Sequence, residues 1–437
     1  MESFIAAANS EGQAEVALPE LNLKAFDEQA SYVTRRDATQ TVCAVPVLTP
    51  ESVRVGKISV TDMNFIDLSS ISFSFQIRNN SGNPLRPLSA IPHCWFRRMR
   101  WMLNGTVLED SGSHLNRLEE QISRFVGTNK RANYGSVGSG WETYPSDHTP
   151  GLPKEIPANS SVRVCWRPLS SGWLHAGKMC PLLGGSAGGL ACELELADAT
   201  DACLAHAAGS TSWSIVDLTL HCDSVSLSTA MASQFADQLL NDSILIPFQS
   251  NTMDVQFLPA GSNNMVLSLP KQYSRLNAVA VSLADEIDKA GANEKSNDSA
   301  GVQSRLMNRF YLDRTKKESV SSFMQLNNQR YPQHDVVGCK QHLIRLHKGL
   351  GIYNSTSHAA CIGDDEYCGT AAADARQFLL LTDTEMVPGV HASGAPVLGG
   401  GVIQYTVKNA GEPRSAFIAT NFDAVCEIRA QGCAVFT

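Results

Sequence analysis

Ser72-Phe73-Ser74-Phe75-Gln76-Ile77 alternates bulky apolar and small polar side chains at every step, and Asn79-Asn80-Ser81-Gly82-Asn83-Pro84 then breaks the run. Successive side chains of an extended chain point to opposite faces, so a period of two marks a strand buried on one side. Clustered turn formers end such a strand. The next stretch, Cys94 to Leu103, predicts a second strand. Asn104-Gly105 follows it and fits a type I′ hairpin turn, whose two central residues both need positive φ. Val107-Leu108 open the return strand.

Working outward, the same grammar recurs. Strands are expected at Val162-Val164, Leu190-Leu196 and Trp213-Leu220. Further on they are expected at Val255-Phe257, Met265-Leu269, Ala278-Leu283 and Ser322-Leu326, and then at Phe378-Leu381, Val402-Val407, Ala416-Thr420 and Val425-Ile428. Helical spacing is rare. Ser113 to Phe125 places Leu115, Leu118, Ile122 and Phe125 on one face. Ala230 to Leu240 reads as a second helix, and Lys340 to Leu350 as a third, with Leu343, Leu346, His347 and Leu350 inward. The stretches 127–157 and 284–300 are polar loops. Many short strands, Gly/Pro turns and few helices predict an all-β chain of sandwiches or jelly rolls.

The chain has 437 residues, enough for two β-domains of about 200 each. An internal echo agrees: Asp223 and Val225 recur as Asp423 and Val425, 200 residues later, in strands expected late in each domain. The division is residues 1–50 as an N-terminal arm ordered only against neighbouring chains, 51–235 as the first domain and 236–437 as the second. The join falls near 229–245.

Only 18% of residues are charged and the net charge is −8, which argues against packaging nucleic acid through excess Lys and Arg. Twelve cysteines carry no C-x-x-C spacing, so reduced, buried thiols are expected. Met1-Glu2-Ser3-Phe4 does not open a signal peptide, and no apolar run approaches the ~18 residues of a membrane span. The expectation is a soluble protein of an intracellular compartment.

Four stretches resemble the double jelly-roll major capsid proteins of eukaryotic DNA viruses, a family that includes Polinton-like viruses, virophages and nucleocytoplasmic large DNA viruses. Leu85-Arg86-Pro87-Leu88, Phe96-Arg97-Arg98-Met99-Arg100, Asn104-Gly105 and Val107-Leu108-Glu109-Asp110 look like the family's first-domain strand, hairpin and turn. The family's Gly-Gly is Asn-Gly here. Asn116-Arg117 sits in the helix that follows. Asn327 to Pro332 resembles the segment before the second-domain helix. Asp423-Ala424-Val425-Cys426-Glu427-Ile428-Arg429, with Gly432 and Val435-Phe436, is similar to the closing strands.

The resemblance covers about 50 to 437 and implies two tandem eight-stranded jelly rolls with a few short helices. It further implies a homotrimeric, pseudo-hexameric capsomer of an icosahedral virion, meeting neighbouring capsomers, penton and minor capsid proteins. Neither enzymatic activity, a cofactor, nor direct sequence-specific nucleic-acid binding is implied. The competing class is a β-sandwich binding protein, such as a carbohydrate-binding spike or minor capsid component.

Arg97, Arg98, Arg100 and Trp101 are the candidate subunit-contact residues, because three guanidinium groups interleave with Trp95, Phe96 and Trp101. The alternative is local pairing with Glu109, Asp110 or Glu119. Gly184-Gly185-Ser186-Ala187-Gly188 matches the G-x-S-x-G elbow but lacks its strand-turn-helix setting. His358, Cys361, Asp364, Asp365, Glu366 and Cys368 are dense in ligand types without zinc or EF-hand spacing, and read as a solvated loop. His342 and His347, five apart, read as packing or surface residues. Gly399-Gly400-Gly401 lacks the Lys-Ser/Thr of a phosphate loop and reads as a turn.

Overall fold

The structure is a computed structural model. It describes residues 33–61, 64–89, 92–125, 155–182, 189–203, 209–259, 261–284, 310–351, 362, 364–369, 374–375, 377–385, 393–397, 401–430 and 432–437. The Ser186 motif, His358, Cys361, Gly399 and Gly400 lie outside these residues, as do most of the two polar loops.

The first half contains β1 (Val33–Val42), β2 (Val47–Leu48), β3 (Val55–Val60), β4 (Phe65–Asn79), β5 (Phe96–Leu103), β6 (Thr106–Asp110), β7 (Ser161–Trp166), β8 (Met179–Pro181), β9 (Leu190–Leu196) and β10 (Trp213–Leu227). Among the described residues its α-helices are α1 (Leu115–Ser123) and the single turn α2 (Ala199–Ala202). Helix α3 (Thr229–Asn241) leads out of β10. The Ser228 hydroxyl caps it by accepting from the Met231 N–H.

The second half contains β11 (Ile244–Phe257), β12 (Asn264–Leu269), β13 (Tyr273–Ala284), β14 (Ser321–Leu326), β15 (Gln329–Val337), β16 (Leu379–Asp383), β17 (Ala395–Val397), β18 (Ile403–Lys408), β19 (Ser415–Arg429) and β20 (Gly432–Phe436). Helix α4 (Gly338–Gly349) and the short α5 (Asp364–Cys368) lie between β15 and β16.

Two sheets form in each half, in the orders β1-β10-β4-β7 and β3-β9-β5-β6, then β11-β19-β13-β16 and β12-β18-β14-β15. Counting only these eight strands in chain order, each half reads 1-8-3-6 in one sheet and 2-7-4-5 in the other. That is the jelly roll, repeated in tandem. The short β2, β8, β17 and β20 extend the first sheet of their own half. A six-residue apolar alternation lies at the centre of the first core: Phe73, Phe75 and Ile77 of β4 are all buried. Phe75 meets Phe96 edge to face at 5.2 Å, and Phe96 stacks on Trp166 at 5.0 Å. Asn104 (φ 50°) and Gly105 (φ 83°) both take the left-handed backbone the type I′ turn requires. Asn327 (φ 48°) and Asn328 (φ 67°) repeat the device between β14 and β15.

Four expectations change. Residues 33–48 are not all arm: β1 pairs with β10 from Val33↔Leu227 to Val42↔Thr219, and β2 adds to the same strand. An edge strand needs one partner's backbone rather than an apolar face, so its side chains gave no alternation. Residues 416–428 form one strand, β19, and not two, because the polar Asn421 and Asp423 bond to Asn251 and Asn277 instead of turning the chain. Residues 329–337, where the sequence predicts no strand before the helix, form β15, paired with β14 through the Asn327-Asn328 hairpin. The buried stripe of α4 runs through Cys339, His342 and Leu346, while Leu343 and Leu350 are half-buried and His347 stays partly exposed.

The halves meet through backbone as well as side chains. The Met253 N–H of β11 donates to the Ser111 carbonyl at 3.1 Å, and Gly112 forms a bridge with Met253. Asn251 Nδ2 donates to the Ser170 carbonyl at 2.8 Å. Trp173 packs edge to face on Phe248 with 5.4 Å between rings. On the far side, Cys433 Sγ donates to the Leu103 carbonyl at 3.0 Å. Gly172 makes the closest approach: a Cβ there would lie 1.4 Å from the Gln249 carbonyl oxygen. Backbone cannot yield as a side-chain tip can. Gly172→Ala is therefore expected to lower stability by more than about 3 kcal/mol in denaturant titration, since overpacking against fixed atoms exceeds the usual range. A loss under about 1 kcal/mol would contradict this packing.

Candidate functional site

The candidate contact residues lie on β5, and the pleat divides them. Trp101 points inward, is 1% exposed and packs its ring 6.1 Å from Phe73. It belongs to the core and offers nothing to another subunit. The arginines point outward and stay partly exposed. Arg98 holds Asp110 with a two-pronged pair, Nε donating to Oδ1 at 2.8 Å. Arg100 Nε donates to the same carboxylate at 3.1 Å and lies 3.8 Å from Glu193. Arg97 reaches Asp198 at 3.8 Å. Burial alone would raise the Asp110 carboxyl, but the Arg98 hydrogen bonds, the Gly112 N–H and both guanidinium charges outweigh it and hold the group below its usual range. The outer face of this sheet is thus a belt of mutually paired charges.

Beneath it lies a second constellation, between the two jelly rolls. Helix α1 buries Leu115 and Leu118, as its spacing predicts, yet Asn116, Glu119, Glu120, Gln121 and Arg124 are buried too. Glu119 accepts from the Ser170 hydroxyl at 2.5 Å and from the Ser170 and Leu169 N–H groups at 2.7 and 3.0 Å. Glu120 accepts from the Ser89 hydroxyl at 2.9 Å and from His93 Nε2 at 3.0 Å, and it pairs with Arg124. Gln121 crosses to the second half, donating to the Ser282 hydroxyl at 2.5 Å and the Phe417 carbonyl at 3.2 Å. Arg117 covers the Phe417 ring at 5.0 Å.

Glu109, at the end of β6, is the hub. It accepts from the Ser171 hydroxyl at 2.5 Å, the Gly172 N–H at 2.9 Å and the Trp173 N–H at 3.3 Å. A fourth bond, at 3.3 Å, comes from the Ser250 hydroxyl of β11. Burial dominates and pushes its carboxyl up to about 7, with these donors pulling the other way. Burial raises Glu119 as well. A buried acid with donors on both sides specifies geometry more than it adds stability. Chemically, the arrangement is a clasp. The buried role of Glu119 and Glu120 is not legible in the sequence, because Glu on an amphipathic helix reads as its solvent face, and the sequence suggests Glu109 and Glu119 only as partners of the β5 arginines. The one readable signal was Ser170-Ser171-Gly172-Trp173, a donor-rich turn beside a large aromatic ring.

His342 is buried, with Nε2 2.9 Å from the Ser322 hydroxyl and Nδ1 2.8 Å from the Gly338 carbonyl, and burial lowers it to about 4. It packs the helix onto its sandwich. Among the described residues, no group of three His, Cys, Asp or Glu side chains is arranged to hold a metal ion. Glu366 is exposed and Cys368 half-buried on α5.

No protein-family model and no curated protein sequence matches this chain. Solved structures do. PBCV-1 VP54, fitted into a reconstruction of the virophage Sputnik, is 10% identical and aligns over 93% of this chain and 97% of its own, with a TM-score of 0.62. The structure of the Sputnik virophage itself is 11% identical over 98% and 94%, with a TM-score of 0.55. The Faustovirus major capsid protein is 8% identical over 91% of each chain, with a TM-score of 0.52. At such identities the likeness concerns fold: the double jelly roll spans nearly the whole length of each.

Trp101→Ala is expected to cost about 3–5 kcal/mol in equilibrium unfolding, as for a large buried aromatic. An effect below about 1 kcal/mol would place the indole at the surface. The raised Glu109 carboxyl means the folded chain binds its proton more tightly than the unfolded one. Its contribution to stability is therefore fully present below about pH 4.5 and declines as pH rises to about 7. Glu109→Gln should flatten that part of the stability-pH profile, and an unchanged slope would assign the dependence elsewhere.

Proposed function

We propose that this chain is a major capsid protein, the structural subunit of an icosahedral DNA-virus shell, and that it works as a trimer forming a pseudo-hexameric capsomer. The observation that carries the reading is the tandem itself: one strand plan used twice in one chain. Two like domains let three copies present six similar sides, so a three-fold object fits a hexagonal lattice position. Closed symmetry then repeats a few contacts many times. Each contact can be modest, because a subunit held at several places gains from avidity. The near-full-length likeness to the PBCV-1, Sputnik and Faustovirus structures supports the same reading.

On this reading the chain is non-enzymatic and needs no cofactor. Its partners are its own copies, neighbouring capsomers, and penton and minor capsid proteins, and its place is the virion. Arg97, Arg98 and Arg100 contribute the exposed remainder of their charged belt to contacts with neighbours. Low charge and a net −8 suit a wall that meets other protein surfaces without holding nucleic acid by sequence.

Analytical ultracentrifugation of the purified chain tests the proposal. The expected species has three times the chain mass and goes on to form closed particles. A stable monomer with affinity for glycans would instead support a β-sandwich binding protein.

A further inference from the structure

Strands β1 and β11 hold the same place: each is the first strand of its half and the outer strand of the 1-8-3-6 sheet. Their surroundings differ. In β11, Ile244, Ile246, Phe248, Ser250, Thr252 and Met253 are buried, and the Met253 N–H is taken by Ser111. In β1 no residue is buried, and among the described residues no other strand pairs with its outer edge. Val42 is 61% exposed and Val47 43%. Among the described residues no strand covers the edge from Arg36 to Val42, and a bare edge is a template for association that proteins normally cover.

What covers β11 is the segment following the fifth strand of the preceding jelly roll: Ser111, Gly112 and α1. The second half has its own version. β15 is its fifth strand, and Gly338 (φ 77°, against 78° at Gly112) opens α4 directly after it. Within the chain, this segment faces no third jelly roll. Ile344 of α4 is 52% exposed and Val337 44%.

We infer that the β1 edge, from Arg36 to Val42 with Val47 beside it, is the docking surface for a second copy of this chain, which lays its Val337–Gly349 segment there. The contact repeats between chains the junction already made within one chain. A head-to-tail contact of this kind closes into a ring when its rotation allows. The inference rests on the capsomer reading and supplies its interface.

Val42→Asp and Ile344→Asp, both at exposed sites, test it in the full-length chain, with circular dichroism verifying the fold. Each is expected to weaken trimer association at least 10-fold by sedimentation. Hydrogen exchange over residues 36–42 should be slow in the parent trimer and fast in the dissociated variants. Variants that assemble like a trimeric parent, or exchange at 36–42 that stays equally slow in monomers because the chain covers its own edge, would overturn this inference alone. A parent that remains monomeric would overturn the capsomer reading with it.

Discussion

The Met253 N–H of β11 meets the Ser111 carbonyl, and most of the molecule's organisation depends on that contact. A sheet edge carries backbone donors and acceptors that must find partners once water is excluded. Here the second sandwich completes its edge with a segment of the first, so the two sandwiches, whose buried apolar side chains form one continuous cluster, become one body. Gly112 and Gly172 are needed because only a residue without Cβ lets the two backbones come so close.

The polar clasp follows from that closeness. Bringing β11 against β6 and α1 buries Glu109, Glu119 and Gln121: the two acids accept from the turn at residues 170–173, Glu109 also from Ser250 across the junction, and Gln121 donates across it to Ser282 and Phe417. Such networks tolerate little displacement, since a lost partner leaves a desolvated acid. They hold one relative placement of the two jelly rolls. For a subunit whose outline must match its neighbours, that placement matters as much as total stability. The charged belt of Arg98, Arg100 and Asp110 lies outside this layer and remains half in solvent, where ion pairs are weak.

The fold was legible wherever one face of an element met a core. Phe73-Phe75-Ile77, the Asn104-Gly105 turn and the echo of Asp223 in Asp423 carried local rules that the sandwich obeys, and the two echoing strands are both the eighth of their half. The site was much less legible. β1 has no apolar alternation because it buries nothing within the chain, and α1 reads as half solvated because its second face is covered by distant residues, from Ser89 and Ser170 in its own half to Ser282 and Phe417 in the other. Trp101 was misplaced for a related reason. Composition groups it with its arginine neighbours, and only the pleat separates Trp101 from Arg100.

Imaging of the purified protein tests the central claim most directly. Class averages of frozen, unstained molecules should show three copies in a closed ring with six lobes of similar size, each pair of lobes contributed by one chain. Isolated two-lobed particles at every concentration, or lobes hinged at varying angles, would contradict the account of a rigid tandem built to meet its own copies.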